Sequence, residues 1–299
     1  MRRAAPTLLF LLANFAGAPA FAAEKPIVVL LHAKGPNFDK VAEGFRHSRT
    51  PSLDIAVDPG AAATQSAAIS NAHPDVIVAV GQEAEQLASS GFPDVPRVIA
   101  LASNSAPTAP AIVVSPEVPA EVQVKWISDV FPDVTSVGIV FDPRFSQTVV
   151  DNFVAAAATV KRPRGRTLTI TPIEVKSESE VPRAFNKKRA GIQALLFVNV
   201  SDTTVMTKDT ILYLLTECVK SGIAAIGFSR GFLDNGAVLA FVPDMNAVGA
   251  QAADAASKLL ADRSGNVQPP KMGVWVNKRV ADKLGLRMTY DQDVVKEFE

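Results

Sequence analysis

The sequence is poor in the residues that reactive chemistry most often uses. Its 299 residues include one cysteine, three histidines, two tryptophans and two tyrosines. With Cys218 alone, no intrachain disulfide can form. Neither sign of charge is in excess, since 30 basic side chains stand against 30 acidic ones. The basic surplus of a nucleic-acid binder is therefore missing, and no nucleic-acid partner is expected. Beyond residue 25 no apolar run reaches the roughly 18–20 residues that span a bilayer. The chain has no G-x-x-x-x-G-K-[S/T] phosphate loop, no H-E-x-x-H and no cluster of Cys and His at ligand spacing. Neither a cofactor nor a metal is expected.

What is present excludes disorder. Apolar residues make up 48% of the chain and charged ones 20%, ample for a buried core. At about 150 residues per domain, the length suggests two domains.

The first 22 residues stand apart from the rest. Arg2-Arg3 precede the apolar run Leu8-Leu9-Phe10-Leu11-Leu12-Ala13, and Ala18-Pro19-Ala20 and Ala20-Phe21-Ala22 follow as A-x-A sites. This is the layout of a cleavable signal peptide, and the apolar run is too short for a membrane anchor. Cleavage after Ala22, with Ala20 and Ala23 as alternatives, would leave 28 basic and 30 acidic residues. No cysteine lies near the cleavage region, so lipidation there is excluded. The expectation is a freely diffusing, monomeric periplasmic protein. Cys218 lies among Ile211, Leu214, Leu215 and Val219, which predicts a buried packing thiol.

Apolar runs at 27–32, 53–57, 76–80, 98–102, 112–115, 137–141, 168–175, 194–198, 223–228, 238–242 and 274–276 read as strands. Most are short, β-branched and apolar on both faces, as in strands covered by helices on both sides. Amphipathic or alanine-rich stretches at 37–47, 61–71, 83–89, 120–130, 149–160 and 247–261 separate them. This alternation predicts an α/β fold: two doubly wound, mainly parallel sheets, each a lobe, joined by a multi-strand hinge. The first crossover is placed at 116–119, between two prolines. The strand at 238–242 and the helix at 247–261 are expected to return to the first sheet. One lobe is then 23–117 plus 236–265, and the other 118–235 plus 266–299. The basic runs 161–166 and 186–189 are expected to be solvated loops.

Gly227-Phe228-Ser229-Arg230-Gly231 matches the G-x-S-x-G nucleophile elbow and follows a predicted strand. That arrangement needs a histidine after the serine, whereas His32, His47 and His73 all precede it. Hydrolysis is rejected, and no enzymatic activity is expected. His47 and His73 read as helix-end residues.

Polar residues do gather at the carboxyl ends of the predicted strands, where open α/β sheets bind ligands. In the first sheet these are His32, Gly81-Gln82-Glu83 and Ser103-Asn104. In the second they are Asp142, Phe145, Asn199, Asp202 and Ser229-Arg230. Two such rims facing across one cleft suit capture of a solute by lobe closure. Each residue also has an ordinary alternative as a helix cap.

The closing half resembles a known family. Gly236-Ala237, Gly249, Ala252-Ala253, Ala256 and Leu259-Leu260 resemble the closing segment of ABC transporter substrate-binding proteins of periplasmic type 1 fold. So do Val276-Asn277, Ala281 and Leu284-Gly285-Leu286. Gly44-Phe45, Pro74-Asp75, Lys125-Trp126-Ile127, Phe131-Pro132 and Val137-Gly138-Ile139-Val140 agree in order and spacing. The resemblance implies a hinged receptor that delivers a small solute to the permease of an ABC importer, and relatives include amino-acid binders. A carboxylate would then sit near Gln82-Glu83 or Ser103, and an ammonium near Asp202 or Asp142, while Arg230 could instead pair with an anion. Two segments depart from the family. Ala102-Ser103-Asn104-Ser105 stands where relatives have Asp-Pro, and Ser115-Pro116-Glu117-Val118 where they have a Gly-Asn-Thr-Gly-like stretch. The departures leave open a sensor or accessory protein that reports to a membrane signalling partner.

Overall fold

The computed structural model describes residues 25–102, 109–115, 117–162, 166–198, 202–261 and 272–298. The expected signal peptide lies outside them, as do Ser103, Asn104 and Asn199. Among the described residues no helix is long and apolar enough to cross a membrane.

The first sheet is built from β1 (Val28–His32), β2 (Leu53–Ala56), β3 (Val76–Val80), β4 (Arg97–Ala100) and β5 (Ala111–Val114). All pair in parallel, in the order β2-β1-β3-β4-β5. Every residue of β1, β3 and β4 is buried, whereas edge strand β2 alternates. Between these strands run α1 (Pro36–Ser48), α2 (Ala62–Ala72) and α3 (Gln82–Gly91). Val28 and Leu30 pack with Val41 and Phe45 of α1, while Val29 and Leu31 pack with Ile69 and Ala84 of α2 and α3. Period-2 alternation thus feeds two cores, one on each face.

After β5 the chain crosses to α4 (Ala120–Val130), then continues through β6 (Ser136–Phe141), α5 (Pro143–Thr159), β7 (Thr169–Glu174), α6 (Val181–Lys188) and β8 (Ala194–Leu196). Next come α7 (Lys208–Ser221), β9 (Ala224–Gly227), α8 (Arg230–Asp234), β10 (Leu239–Pro243) and α9 (Met245–Leu260). The chain closes with β11 (Met272–Val276), α10 (Lys278–Lys283) and β12 (Val295–Glu297). The second sheet is ordered β12-β11-β10-β9-β8-β6-β7. It is parallel from β7 to β10; β11 pairs antiparallel with β10 and parallel with β12, so these last two strands run against the rest. Pro172 is tolerated because β7 is an edge strand.

Three expectations are corrected. The strand near 238–242 does not complete the first sheet: β10 pairs with β9 and β11 in the second. Only the helix returns, since Val248, Ala252 and Ala256 of α9 pack with Val41 and Phe45 over the first sheet. The second crossover is therefore the turn at Asp244, whose carboxylate caps α9 by accepting the Ala247 N–H at 3.2 Å. The basic run 186–189 is not a loop: Asn186–Lys188 close α6 and Arg189 opens the 3-10 turn after it, so the cations sit favourably at the negative end of the helix dipole. Within 161–166, Arg162 is buried rather than solvated and donates to the carbonyls of Phe131 and Pro132. That run's residues 163–165 lie outside the described residues. Strand β12 has no counterpart in the sequence reading.

Helices α1 and α9 meet backbone to backbone. A methyl group at Gly249 would stand 2.0 Å from the Val41 carbonyl oxygen, and one at Gly44 2.0 Å from that of Asn246. Glycine is required on both sides because backbone cannot give way. This contact holds α9 to the first lobe after it leaves the second sheet.

Candidate functional site

The carboxyl ends of β8, β9 and β10 open onto a cavity of about 210 Å³. Its walls are Val198 and Phe228, just past β8 and β9, with Phe241 and Pro243 of β10. Helix α5 contributes Val149, Asn152 and Phe153. The remaining wall is the first crossover itself, from Ser115 through Glu117, Val118 and Pro119 to Ala120 and Gln123 of α4. The cavity thus sits where the chain passes between the sheets. Larger hollows of about 490 and 370 Å³ lie elsewhere, one beside edge strand β7 and α6, the other around Phe131, Gly222 and Arg287. Location rather than size singles out the crossover cavity, since ligands of open α/β sheets bind at strand carboxyl ends.

Among the described residues lining this cavity, Glu117 is the only charged one. Its N–H donates to Ser115 Oγ at 3.0 Å. The side chain reaches solvent through the opening, yet the surrounding walls strip enough water to push its carboxyl above the usual range. Gln123 Nε2 donates to the Val118 carbonyl at 2.8 Å and so braces the crossover.

The residues expected from the sequence stand at the strand ends, but several are already engaged. Asp142 caps α5, accepting the Arg144 N–H at 3.0 Å, and is fully buried. It takes the Arg144 guanidinium in a forked pair and the Thr204 hydroxyl at 2.8 Å. The Arg144 contacts, reinforced by Thr204, hold its carboxyl far below the usual range against the cost of burial. Asp202 is buried too. One of its oxygens accepts from the Asp142 N–H and Ser146 Oγ, both at 2.9 Å. The other accepts from the N–H groups of Thr204 and Val205, both at 3.0 Å. Both carboxylates spend their acceptor capacity on the protein, which corrects the expectation that either awaits an ammonium.

His32 faces α1. Arg46 donates to its Nε2 at 3.2 Å, which leaves Nδ1 to donate to the Ala33 carbonyl at 3.2 Å. Asp39 and Asp54 flank the ring at 3.8 and 3.7 Å. Arg230 lays its guanidinium over the Trp275 ring, 4.5 Å from the centroid, toward β11. Ser229 precedes α8 without a side-chain cap hydrogen bond. Gly227 of the elbow is pressed against Phe232, 2.3 Å from where a Cβ would stand. His32 lies on β1, His47 on α1 and His73 at the end of α2, all elements of the first sheet.

Gly81 turns β3 into α3 with φ +93°, and a Cβ there would meet Ala33 Cβ at 2.8 Å and the Phe38 ring at 3.0 Å. Gln82 and Glu83 are exposed on the first turn of α3, which has no side-chain cap at Gly81. Phe145 is exposed on the first turn of α5, with Arg144 at 5.4 Å from its ring centroid. The sequence reading missed Glu117, Gln123, Asn152, Phe228 and Phe241. The one signal for Glu117 was its place in the proline-flanked crossover.

Residues 54–297 match the family described as ABC transporter substrate binding protein. No curated protein matches the chain. An open, ligand-free substrate-binding protein with adhesive properties from Clostridium difficile superposes with a TM-score of 0.68 at 16% identity. The match covers 92% of this chain and 99% of that one. A conserved domain protein from Vibrio cholerae gives 0.55 at 17% identity, covering 92% and 99%. An ABC domain in complex with L-Trp from Streptococcus pneumonia gives 0.53 at 20% identity, covering 91% and 99%. At such identities the likeness shows the fold, two α/β lobes of periplasmic binding protein type 1.

Proposed function

Because the chain belongs to the ABC transporter substrate-binding protein family, we propose that it is the solute-binding component of an ABC importer. It takes a small polar solute, amino-acid-like in class, into the crossover cavity and presents it to a membrane permease. The observation that carries this reading is the position of that cavity: one wall is Ser115 with Glu117–Ala120, in the stretch that leads from the first sheet to the second. A solute seated there touches the second lobe and the hinge together, so its binding energy can bias the lobes toward closure. Closure would bring the exposed first turn of α3, with Gln82 and Glu83, over the solute. Phe145 and Ser229 would form the opposite rim. We read the protein as a periplasmic monomer released from its signal peptide, and as a carrier rather than an enzyme.

Calorimetry on protein unfolded and refolded to strip any carried-over solute tests this. Amino acids, sugars, nucleosides and small amines form the panel. The expected result is one class binding at one site per chain and raising Tm. Binding by none of them would overturn the proposal.

A further inference from the structure

We propose that the second lobe carries an oxyanion site at the amino ends of its strands, a hollow in which Arg287 and Arg189 bind a phosphate or sulfate group. The inference stands apart from the solute-binding reading, because this end of the sheet is the one opposite the crossover cavity.

The hollow, of about 370 Å³, is lined by Val134, Gln193 and Ile223, which lead into β6, β8 and β9. Arg189, in the turn after α6, and Arg287, past the end of α10, line it as well. Positive charge exceeds negative beside it. Asp133 takes Arg287 through Nε at 2.9 Å and Nη2 at 3.0 Å, and Arg166 through Nη1 at 2.9 Å. One carboxylate thus serves two guanidiniums.

A third guanidinium lies behind them. Arg162 and Arg166 share the Pro132 carbonyl, each at 3.3 Å, and Arg162 also donates to the carbonyl of Phe131, a residue of the hollow's lining, at 3.0 Å. Arg162 is only 7% exposed, and its Nε and Nη1 meet no acceptor among the described residues. Buried donors without partners, on a charge with no carboxylate of its own, leave the arrangement incomplete. Burial and the adjacent Arg166 lower the Arg162 pKa, and Asp133 only partly offsets them.

Three guanidiniums against one carboxylate leave two positive charges, which a dianionic phosphate or sulfate balances. Donors for it are at hand. Arg287 spends Nε and Nη2 on Asp133 and keeps Nη1 for a ligand. Gln193 Oε1 accepts from the Thr135 N–H and hydroxyl, which leaves its amide nitrogen to donate. Guanidinium planes match the geometry of phosphate oxygens.

Calorimetry of the full chain against inorganic phosphate and sulfate, at fixed ionic strength with chloride as the reference salt, tests this. One anion should bind per chain with a Kd below about 1 mM and raise Tm. Arg287→Gln should weaken binding by about tenfold or more. Asp133→Asn, which frees Arg166 and Arg287 from a competing carboxylate, should tighten it. Lys40→Gln, on the exposed face of α1 in the first lobe, should leave it unchanged. Co-sedimentation with vesicles of phosphatidylcholine and phosphatidic acid, but not of phosphatidylcholine alone, would identify the group as a lipid phosphate. Binding of inorganic phosphate without that co-sedimentation would identify it as a free anion. No saturable binding in either arm would overturn the inference. So would equal losses in Arg287→Gln and Lys40→Gln, or weaker binding in Asp133→Asn.

Discussion

The carboxylate of Asp202 accepts the backbone N–H of Asp142 at 2.9 Å, across 60 residues of sequence. This bond ties the start of α5 to the loop that leads from β8 to α7. Asp202 also holds Ser146 Oγ and the N–H groups of Thr204 and Val205. Replacing Asp202 with Ala leaves these buried donors without an acceptor. The expected loss is about 3 kcal/mol of stability, seen as a lower urea midpoint at an unchanged slope. A loss below about 0.5 kcal/mol would mean the network is not formed in solution.

Asp142 sets a pH dependence. Its carboxyl is lowered by Arg144, so folding favours the charged form. The stability it contributes is present above its unfolded pKa of about 4 and is lost as pH falls through the lower folded value. Asp133, held by Arg166 and Arg287, and Glu178, held by Thr207 and Thr210, act with the same sign. Urea midpoints should therefore decline below about pH 4, and Asp142→Asn should make that decline shallower. An unchanged acid slope in the variant would refute the assignment.

Gly249 tests the contact between α1 and α9. Gly249→Ala would place a methyl 2.0 Å from the Val41 carbonyl oxygen and 2.6 Å from the Phe45 nitrogen. The expected cost is about 3 kcal/mol, because two helix backbones must separate. Gly191→Ala, with nothing within 4 Å of its added methyl, should change stability by less than about 1 kcal/mol. Equal effects of the two substitutions would contradict the packing described.

Cys218 should be inert. Burial, with a smaller contribution from Glu217, pushes its thiol up to about 12. A thiol reagent added to the native protein near about pH 8 should label it only as fast as the chain opens, and promptly in denaturant. Rapid native labelling would place the thiol at the surface.

Most strands were legible because both faces of these sheets are covered, so β-branched runs such as Val76–Val80 mark them directly. Sheet membership was not legible for β10. Its sequence fits either sheet, and only its pairing with β9 and β11 decides. Strand β12, three residues with two exposed, carries too little apolar pattern to be seen. At the site, the strand-end rule pointed to the end of the second sheet onto which the crossover cavity opens. It could not separate polar residues that serve the protein, such as Asp142 and Asp202, from surface left for a solute. Glu117 escaped because the segment after β5 reads as the crossover between the sheets rather than as a strand-end rim. Phe228 and Phe241 escaped because an aromatic residue in an apolar run reads as core.

The central claim is that a solute occupies the cavity between the crossover and β8, β9 and β10. A crystal structure of the chain with its tightest-binding panel solute tests this most directly. Solute density should lie within reach of Glu117, Gln123, Phe153 and Phe228, with the two lobes closer together than in the solute-free crystal. Density instead in the groove beside Arg183 and Lys187 of α6, with the crossover cavity empty, would contradict it.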